Sequence, residues 1–221
     1  MSSDTFDFDQ QNDPLAQRIA QGLSKLGTAL RHQAWRKASP AGLTPTQGQI
    51  LTLLSSRPGL TLAQVAEALA VRPATASDAV KALASKGLLS KSRQAGDARQ
   101  LSLHLTRDGQ ETAAEAVQWP EFLVEAVDEL DGDERRVLLR TIVRMISALQ
   151  QRGQIPTSRM CVTCHHFKPR VHQDPRRPHH CGYVDAPFGD ADLRIECAEH
   201  EPATAADAER LAQFAFASGT A

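Results

Sequence analysis

Two stretches of the chain place apolar residues at helical spacing. The first stretch contains Leu15, Ile19, Leu23, Leu26 and Leu30, which are three or four positions apart. The second contains Leu138, Ile142, Met145, Ile146 and Leu149, with the same spacing apart from the adjacent pair 145 and 146. This spacing predicts two long helices, each with one apolar face. The turn-forming residues 39–42 end the first helix, and Gly153 with Pro156 ends the second.

Three shorter helices are predicted between these stripes, because each has a recognisable first turn. Thr44–Gln47 and Thr61–Gln64 have the Thr-x-x-Gln pattern of a capping box, in which side chains bond to free backbone N–H groups. Pro73 fits the first turn of the third helix. We expect the second helix to run to about Ala70 and the third to end near Gly87.

A hairpin is predicted after the third helix. Leu88–Lys91 and Leu101–Leu105 are predicted strands, since Leu101, Leu103 and Leu105 alternate with polar residues. The polar residues 92–99 between them are predicted to form a turn. Three helices and a hairpin make a winged helix-turn-helix, so we expect a mostly α fold of the α+β class, with long flanking helices.

The charge is distributed unevenly along the 221 residues. The net charge is only −1, yet residues 44–107 contain eight basic and three acidic residues, and residues 108–157 five basic and ten acidic. The winged-helix segment can therefore meet phosphate, and the next segment repels it. No apolar run is long enough for a membrane span, and the first residues lack a secretory pattern, so we expect a cytoplasmic protein.

Three stretches of the winged-helix segment identify a family resemblance. They are residues 71–77, 83–89 and 97–109, the last with an Asp-x-Arg at the predicted wing tip and a strand that ends in Leu-Thr-x-x-Gly. On these residues the chain resembles the MarR family of bacterial transcriptional regulators. The resemblance covers roughly residues 14–151 and implies a DNA-binding and dimerisation domain over 14–153.

The resemblance implies DNA contacts by position. Arg99 is the wing arginine expected in the minor groove, and Arg93 is expected on a phosphate. The predicted contacts of the recognition helix are Arg72, Thr75, Ser77, Asp78 and Lys81. Asp78 departs from the basic or hydroxyl residue of many relatives, so it either accepts from a cytosine or makes no contact.

The resemblance also implies a homodimer. The two apolar stripes are expected to form its interface, which presents two recognition helices to a pseudo-palindromic double-stranded operator. Repression is the expected mode, with a small effector or the state of the C-terminal module as the signal. The alternative is an interaction or scaffold protein with a structural zinc. We expect no enzymatic activity, since no nucleophile elbow or phosphate loop is present.

The end of the chain carries a second kind of chemistry. All four cysteines, Cys161, Cys164, Cys181 and Cys197, lie in residues 158–202, with the spacing C-x2-C-x16-C-x15-C. Four thiolates suit tetrahedral zinc, and equally an iron–sulfur cluster. We expect a small, irregular, metal-stabilised module, with zinc first and the cluster or a thiol switch as alternatives.

Histidines are also concentrated in this module, which contains six of the eight. His179, His180 or His200 could replace one of the cysteine ligands. The remaining segments have simpler predictions: residues 1–13 form a disordered acidic tail, and residues 203–221 a short helix and tail.

Overall fold

The computed structural model of the chain describes residues 13–94 and 97–216. The predicted acidic tail before Asp13, and residues 217–221 of the predicted C-terminal tail, lie outside this range. The helices are α1 Leu15–Ala38, α2 Pro45–Ser56, α3 Leu62–Ala68, α4 Pro73–Ser85, α5 Arg107–Val117, α6 Glu121–Asp128, α7 Gly132–Gln151 and α8 Ala208–Phe216. The strands are β1 Leu89–Gln94, β2 Asp97–Leu105, β3 Phe167–Lys168, β4 His179–Cys181 and β5 Ala186–Phe188.

Side-chain caps fix the first turns of α2 and α3, as predicted. In α2 the Thr44 hydroxyl accepts from the Gln47 N–H, and the Gln47 side chain accepts from the Thr44 N–H, both at 3.2 Å. Thr61 and Gln64 form the same reciprocal pair in α3. The helix α3 ends two residues before the predicted Ala70, because Ala70 adopts a left-handed φ of 51° that a helix cannot contain.

The hairpin is longer than the predicted strands. β1 and β2 pair from Leu89 opposite Leu105 to Arg93 opposite Leu101, and the register shifts at Gln94. Polar residues interpreted as a turn belong to the ladder instead, because a two-stranded ribbon needs only backbone hydrogen bonds there. The base of the hairpin is anchored where the Leu103 N–H donates to the Leu60 carbonyl at 2.9 Å.

The winged-helix segment has its own apolar core. The helices α2, α3 and α4 and both strands contribute side chains that are almost fully buried: Ile50, Leu51, Leu54, Val65, Val80, Leu83, Leu89 and Leu103. On α3, Val65 and Ala66 are buried, and Leu62 and Leu69 are half-buried. This core fixes α4 and the hairpin side by side.

A second core joins α7 to the end of the chain. Residues 158–216, here called the C-terminal unit, form a three-stranded antiparallel sheet in the order β3-β4-β5, short 3-10 turns and α8. Its buried side chains pack on one face of α7: Val143 of the helix with Met160, Val162, Phe167, Leu193 and Phe214. The last helix, which was predicted, packs through Leu211 and Phe214. Among the described residues, no helix has the length and apolarity to span a membrane.

Gly109 provides a test of the junction between the hairpin and α5. A Cβ at this position would overlap the backbone carbonyl oxygen of Leu88, which also accepts from the Thr106 N–H. We predict that Gly109→Ala lowers the free energy of unfolding by about 1–3 kcal/mol, because a backbone atom cannot move aside as a flexible side chain can. Urea unfolding followed by tryptophan fluorescence measures the change.

The matched control is Gly132→Ala, at the first position of α7. A Cβ there meets nothing within 4 Å. Its effect is expected to stay within about 0.5 kcal/mol of zero or to be slightly stabilising. Equal destabilisation by the two substitutions would show that the close approach of Leu88 to Gly109 has no special role.

Candidate functional site

The exposed side of α4 carries most of the predicted DNA contacts. Arg72, Thr75, Asp78 and Lys81 are exposed. Ser77 is only half-buried, so it is less outward than predicted. The opposite side of the helix, Ala76, Ala79, Val80 and Leu83, is buried in the winged-helix core. Ala74, which the sequence analysis did not single out, is also exposed beside Thr75 and has a methyl group that suits the methyl of a thymine.

The acidic residue of this surface has a basic partner. The carboxylate of Asp78 lies 3.8 Å from the Lys81 ammonium, and both side chains are largely exposed. The pair leaves no net charge at this point of the helix, so Asp78 does not make the recognition surface acidic. Arg72 at the start of the helix and the hairpin supply the positive charge instead.

The hairpin extends the basic surface beyond α4. Lys91 and Arg93 are exposed on β1. Arg99 lies on β2, but its side chain is outside the part of the structure that is described, so its predicted role stays a prediction. The surface formed by Arg72, Thr75, Lys81, Lys91 and Arg93 is here called the basic face.

The apolar stripe of α1 has no partner within the described residues that covers it. Leu15 is 64% exposed, and Ile19, Leu23 and Leu26 are between 43% and 49% exposed. Such a row of exposed aliphatic side chains is costly in water, because each one leaves apolar surface hydrated. Within the described residues, the stripe therefore lacks the cover that a fully buried apolar face would have.

The stripe of α7 is divided between two sides. Ile146 packs on the second core with Val143 and Leu139, whereas Leu138 and Met145 are each 38% exposed. The sequence predicted that the whole stripe lies in the dimer interface. The C-terminal unit covers part of it, and the remainder faces outward.

The four cysteines line a single cavity of about 140 Å³. Cys161 and Cys164 lie on one 3-10 turn, Cys181 ends β4 opposite Phe167 of β3, and Cys197 follows a loop. The four cysteines of this cysteine cavity are separated by up to 36 positions in the sequence. Cys164 is buried and the other three are half-buried.

Arg194 and Glu199 contact the cavity sulfurs. The Arg194 backbone N–H donates to the Cys161 Sγ at 3.3 Å, and its guanidinium donates to the Cys197 Sγ at 3.5 Å. The Cys197 thiol donates to the Glu199 carboxylate at 3.3 Å, which contributes most to a lowered pKa of Glu199. Burial has the largest effect on the pKa of the Cys161 thiol and raises it. The hydrogen bond from the Arg194 N–H lowers this pKa, and the three nearby thiols raise it further.

The histidines named as substitute ligands are engaged elsewhere. His179 Nδ1 accepts from the Arg170 N–H, so its Nε2–H donates to Asp190 at 2.9 Å. His180 bonds to Asp185 and His172, and His200 bonds to Thr163. The histidine that does line the cavity is His166, which the sequence analysis did not select. The described side chains include no group of three or more His, Cys, Asp or Glu residues placed to hold a metal ion.

Asp190 connects the C-terminal unit to α7. Its carboxylate accepts from His179 and lies 3.3 Å from the Arg140 guanidinium of α7, and both members of the ion pair are largely shielded from water. Burial opposes ionisation of Asp190, but the His179 hydrogen bond and the Arg140 charge hold its pKa below the ordinary value of 3.8.

Comparison with known proteins gives a family similarity for one segment and the fold of a larger part. Residues 41–100 match the sequence profile of the MarR family. A MarR transcriptional regulator from Methanosarcina mazei Go1 superimposes with a TM-score of 0.52 and 21% identity, over 61% of this chain and 98% of that one. Streptococcus pneumoniae FabT in complex with DNA gives a TM-score of 0.54 and 20% identity, over 62% and 98%.

A third structure, the S. aureus MepR–DNA complex, has a TM-score of 0.52 and 24% identity, over 59% of this chain and 97% of that one. A search of the curated proteins gave no match. At these identities the structures show the fold alone: this chain contains a winged-helix fold of the MarR type.

The pKa of Asp190 leads to a prediction for pH dependence. Because its pKa is lower in the folded state, its stabilising effect is complete above about pH 4 and is lost as the pH falls further through the folded value. We predict that Asp190→Asn, which keeps an acceptor for His179, lowers the free energy of unfolding of the C-terminal unit by about 1–3 kcal/mol at pH 7. The difference from the wild type should shrink below about pH 4.

Urea unfolding followed by NMR signals of β4 and β5, between pH 3 and pH 7, measures this difference. The control is Asp133→Asn, which removes the same charge from the exposed Asp133–Arg136 pair on α7. Its effect is expected to be below about 1 kcal/mol. If the Asp190 variant loses no more stability than the control, the contact with Arg140 does not hold the unit on α7.

Proposed function

We propose that this chain is a sequence-specific DNA-binding transcriptional regulator. The observation that carries the proposal is the basic face, in which the exposed side of α4 lies next to a basic hairpin on a shared core. An α-helix of this size fits the major groove, and a hairpin beside it reaches the adjacent backbone or minor groove. The FabT and MepR structures that share this fold contain DNA, which supports the same use here.

Individual roles follow from position on this face. Thr75 and Lys81 on α4 are proposed to contact base edges and phosphate in the major groove. Arg93 is proposed to contact phosphate, and Arg99 to enter the minor groove from the wing, where narrow A·T tracts attract arginine. Asp78 is proposed to orient Lys81 rather than to bind DNA, because the two side chains form a pair.

The working form is proposed to be a homodimer. The exposed stripe of α1 and the outward side of α7 both need cover, and a second copy of this chain supplies the same two surfaces. Two-fold symmetry then presents two α4 helices to half-sites about one helical turn apart, which makes the operator pseudo-palindromic. A dimer that covers an operator excludes other proteins from it, so repression is the proposed mode.

The proposed signal that changes the DNA affinity is a small ligand or a change in the C-terminal unit. A groove of about 1240 Å³ is lined by Met145 and Ala148 of α7, Leu211 of α8 and Arg57 at the end of α2. A small effector in this groove would contact both α7 and the end of α2 in the winged-helix segment. A signal works only if it binds two arrangements of the dimer with different affinity.

The role of the wing is tested with Arg99→Ala. A duplex enriched from a random-sequence library by the wild-type protein serves as the probe, with a scrambled duplex beside it. We predict that the variant binds the enriched duplex about 10-fold or more weakly, because an arginine contact to DNA is worth about 1–3 kcal/mol. Fluorescence anisotropy at several salt concentrations measures the affinity.

The matched control is Arg176→Ala, an exposed arginine of the C-terminal unit. It removes the same charge far along the chain from the wing, and its affinity should stay within about twofold of the wild type. Unchanged binding by the Arg99 variant would overturn the wing assignment. A wild-type protein that enriches no sequence would favour the scaffold function instead.

The dimer is tested with Ile19→Glu on the exposed stripe of α1. A carboxylate placed in an apolar interface loses its hydration without gaining a partner, so we predict at least a 100-fold weaker dimer. Sedimentation velocity over a range of protein concentrations measures the dissociation constant. Gln17→Glu, on the opposite side of the same helix, is the control and should leave it unchanged. A wild-type monomer at all concentrations would contradict the proposal.

A further inference from the structure

The C-terminal unit brings four thiols from separate segments to one place. Two come from the turn at Cys161 and Cys164, one from the end of β4 at Cys181, and one from the loop at Cys197. Each segment is held by backbone hydrogen bonds: Cys161 N–H to Arg194, Cys164 N–H to Cys161, and Cys197 N–H to Arg159. The arrangement is therefore a consequence of the fold and not of one flexible loop.

We propose that the cysteine cavity binds an iron–sulfur cluster through Cys161, Cys164, Cys181 and Cys197. This inference does not rest on the proposed DNA binding, because it concerns residues outside the winged-helix segment. Four thiolates are the usual ligand set of such clusters.

The placement of the four sulfurs around the cavity favours a cluster over a single ion. With Zn–S bonds of about 2.3 Å, four sulfurs around zinc lie only about 3.8 Å apart and leave no internal space. The cavity has a volume of about 140 Å³. Among the described residues, the four sulfurs line this space without meeting at the position of one ion. A cluster with its own iron and sulfide atoms bridges such sulfurs, whereas a zinc ion would require them to move together.

The surroundings suit the negative charge of a thiolate-bound cluster. The Arg194 backbone N–H points at the Cys161 Sγ, and its guanidinium at the Cys197 Sγ. Hydrogen bonds of this kind stabilise thiolate ligands and set the reduction potential of a cluster. Glu199 already pairs with Arg194 at 3.1 Å, so it keeps a cationic partner when Cys197 loses its proton.

Apolar side chains form the wall of the cavity. Phe167 is fully buried and Phe188 packs against it, whereas Tyr183 and Val184 are exposed at the rim. A cluster here is shielded from water on its inner side and accessible to small molecules on its outer side. Limited access of this kind is one of the factors that tune a cluster's potential.

Metal analysis of the full-length chain, purified without oxygen, decides between the occupants. We expect equal amounts of iron and acid-labile sulfide, in the ratio of a [2Fe–2S] or [4Fe–4S] centre, and a visible absorption band that bleaches with dithionite. Two results together would overturn the proposal. The purified chain would contain one zinc and no sulfide, and the metal-free chain would form no cluster when it is offered ferrous iron and sulfide. A chain that retains neither metal would overturn it too.

Substitutions identify the ligands. Cys181→Ala should reduce iron and sulfide at least tenfold, whereas Tyr183→Phe, at the rim of the same cavity, should keep the full amount. Full iron content in the Cys181 variant would refute the ligand set.

Arg194→Ala keeps all four thiols and the backbone N–H, and loss of its positive charge should move the reduction potential to more negative values. That readout remains informative if the cysteine variant fails to fold, and an unchanged potential would refute the Arg194 contact.

Discussion

The helix α7 must bury apolar side chains on two sides, and much of the structure depends on this constraint. One side, with Val143 and Ile146, packs on the C-terminal unit. Leu138 and Met145 of the same helix stay 38% exposed, and most of the stripe of α1 is exposed as well. Because apolar surface in water is unfavourable, the first side explains why residues 158–216 dock on α7, and the exposed residues are the basis of the proposed homodimer. A single helix thus joins the cysteine cavity to the proposed dimer interface.

Local signals made the winged helix predictable from the sequence. The capping boxes at Thr44 and Thr61 and the proline at Pro73 act within one helical turn, so their effect does not depend on the rest of the fold. The hairpin was only partly predictable, since its outer residues are polar and pair through backbone groups that carry no side-chain signal. The early end of α3 depends on one left-handed residue, Ala70, and alanine gives no warning of that conformation.

The C-terminal unit was predictable in its composition but not in its contacts. The cysteine pattern identified four of the residues that line the cavity, because ligand types are readable from the sequence. The roles of the histidines were not readable, because they depend on tertiary neighbours: Arg170 and Asp190 take both ring nitrogens of His179, and His166 reaches the cavity instead. Spacing alone also did not show that Ile146 packs on the core of this unit while Met145 stays 38% exposed.

A continuous set of contacts connects the cavity to α7. The strand β4 carries both Cys181, which lines the cavity, and His179, two residues earlier on the same side of the strand. His179 bonds to Asp190, and Asp190 pairs with Arg140 on α7. A change of the cavity contents that displaces β4 acts first on this buried pair, and an ion pair shielded from water responds strongly to small displacements. Contact alone does not create regulation, which requires that the two states of the cavity favour different positions of α7. The Arg140–Asp190 pair is where such a difference in energy would reach α7.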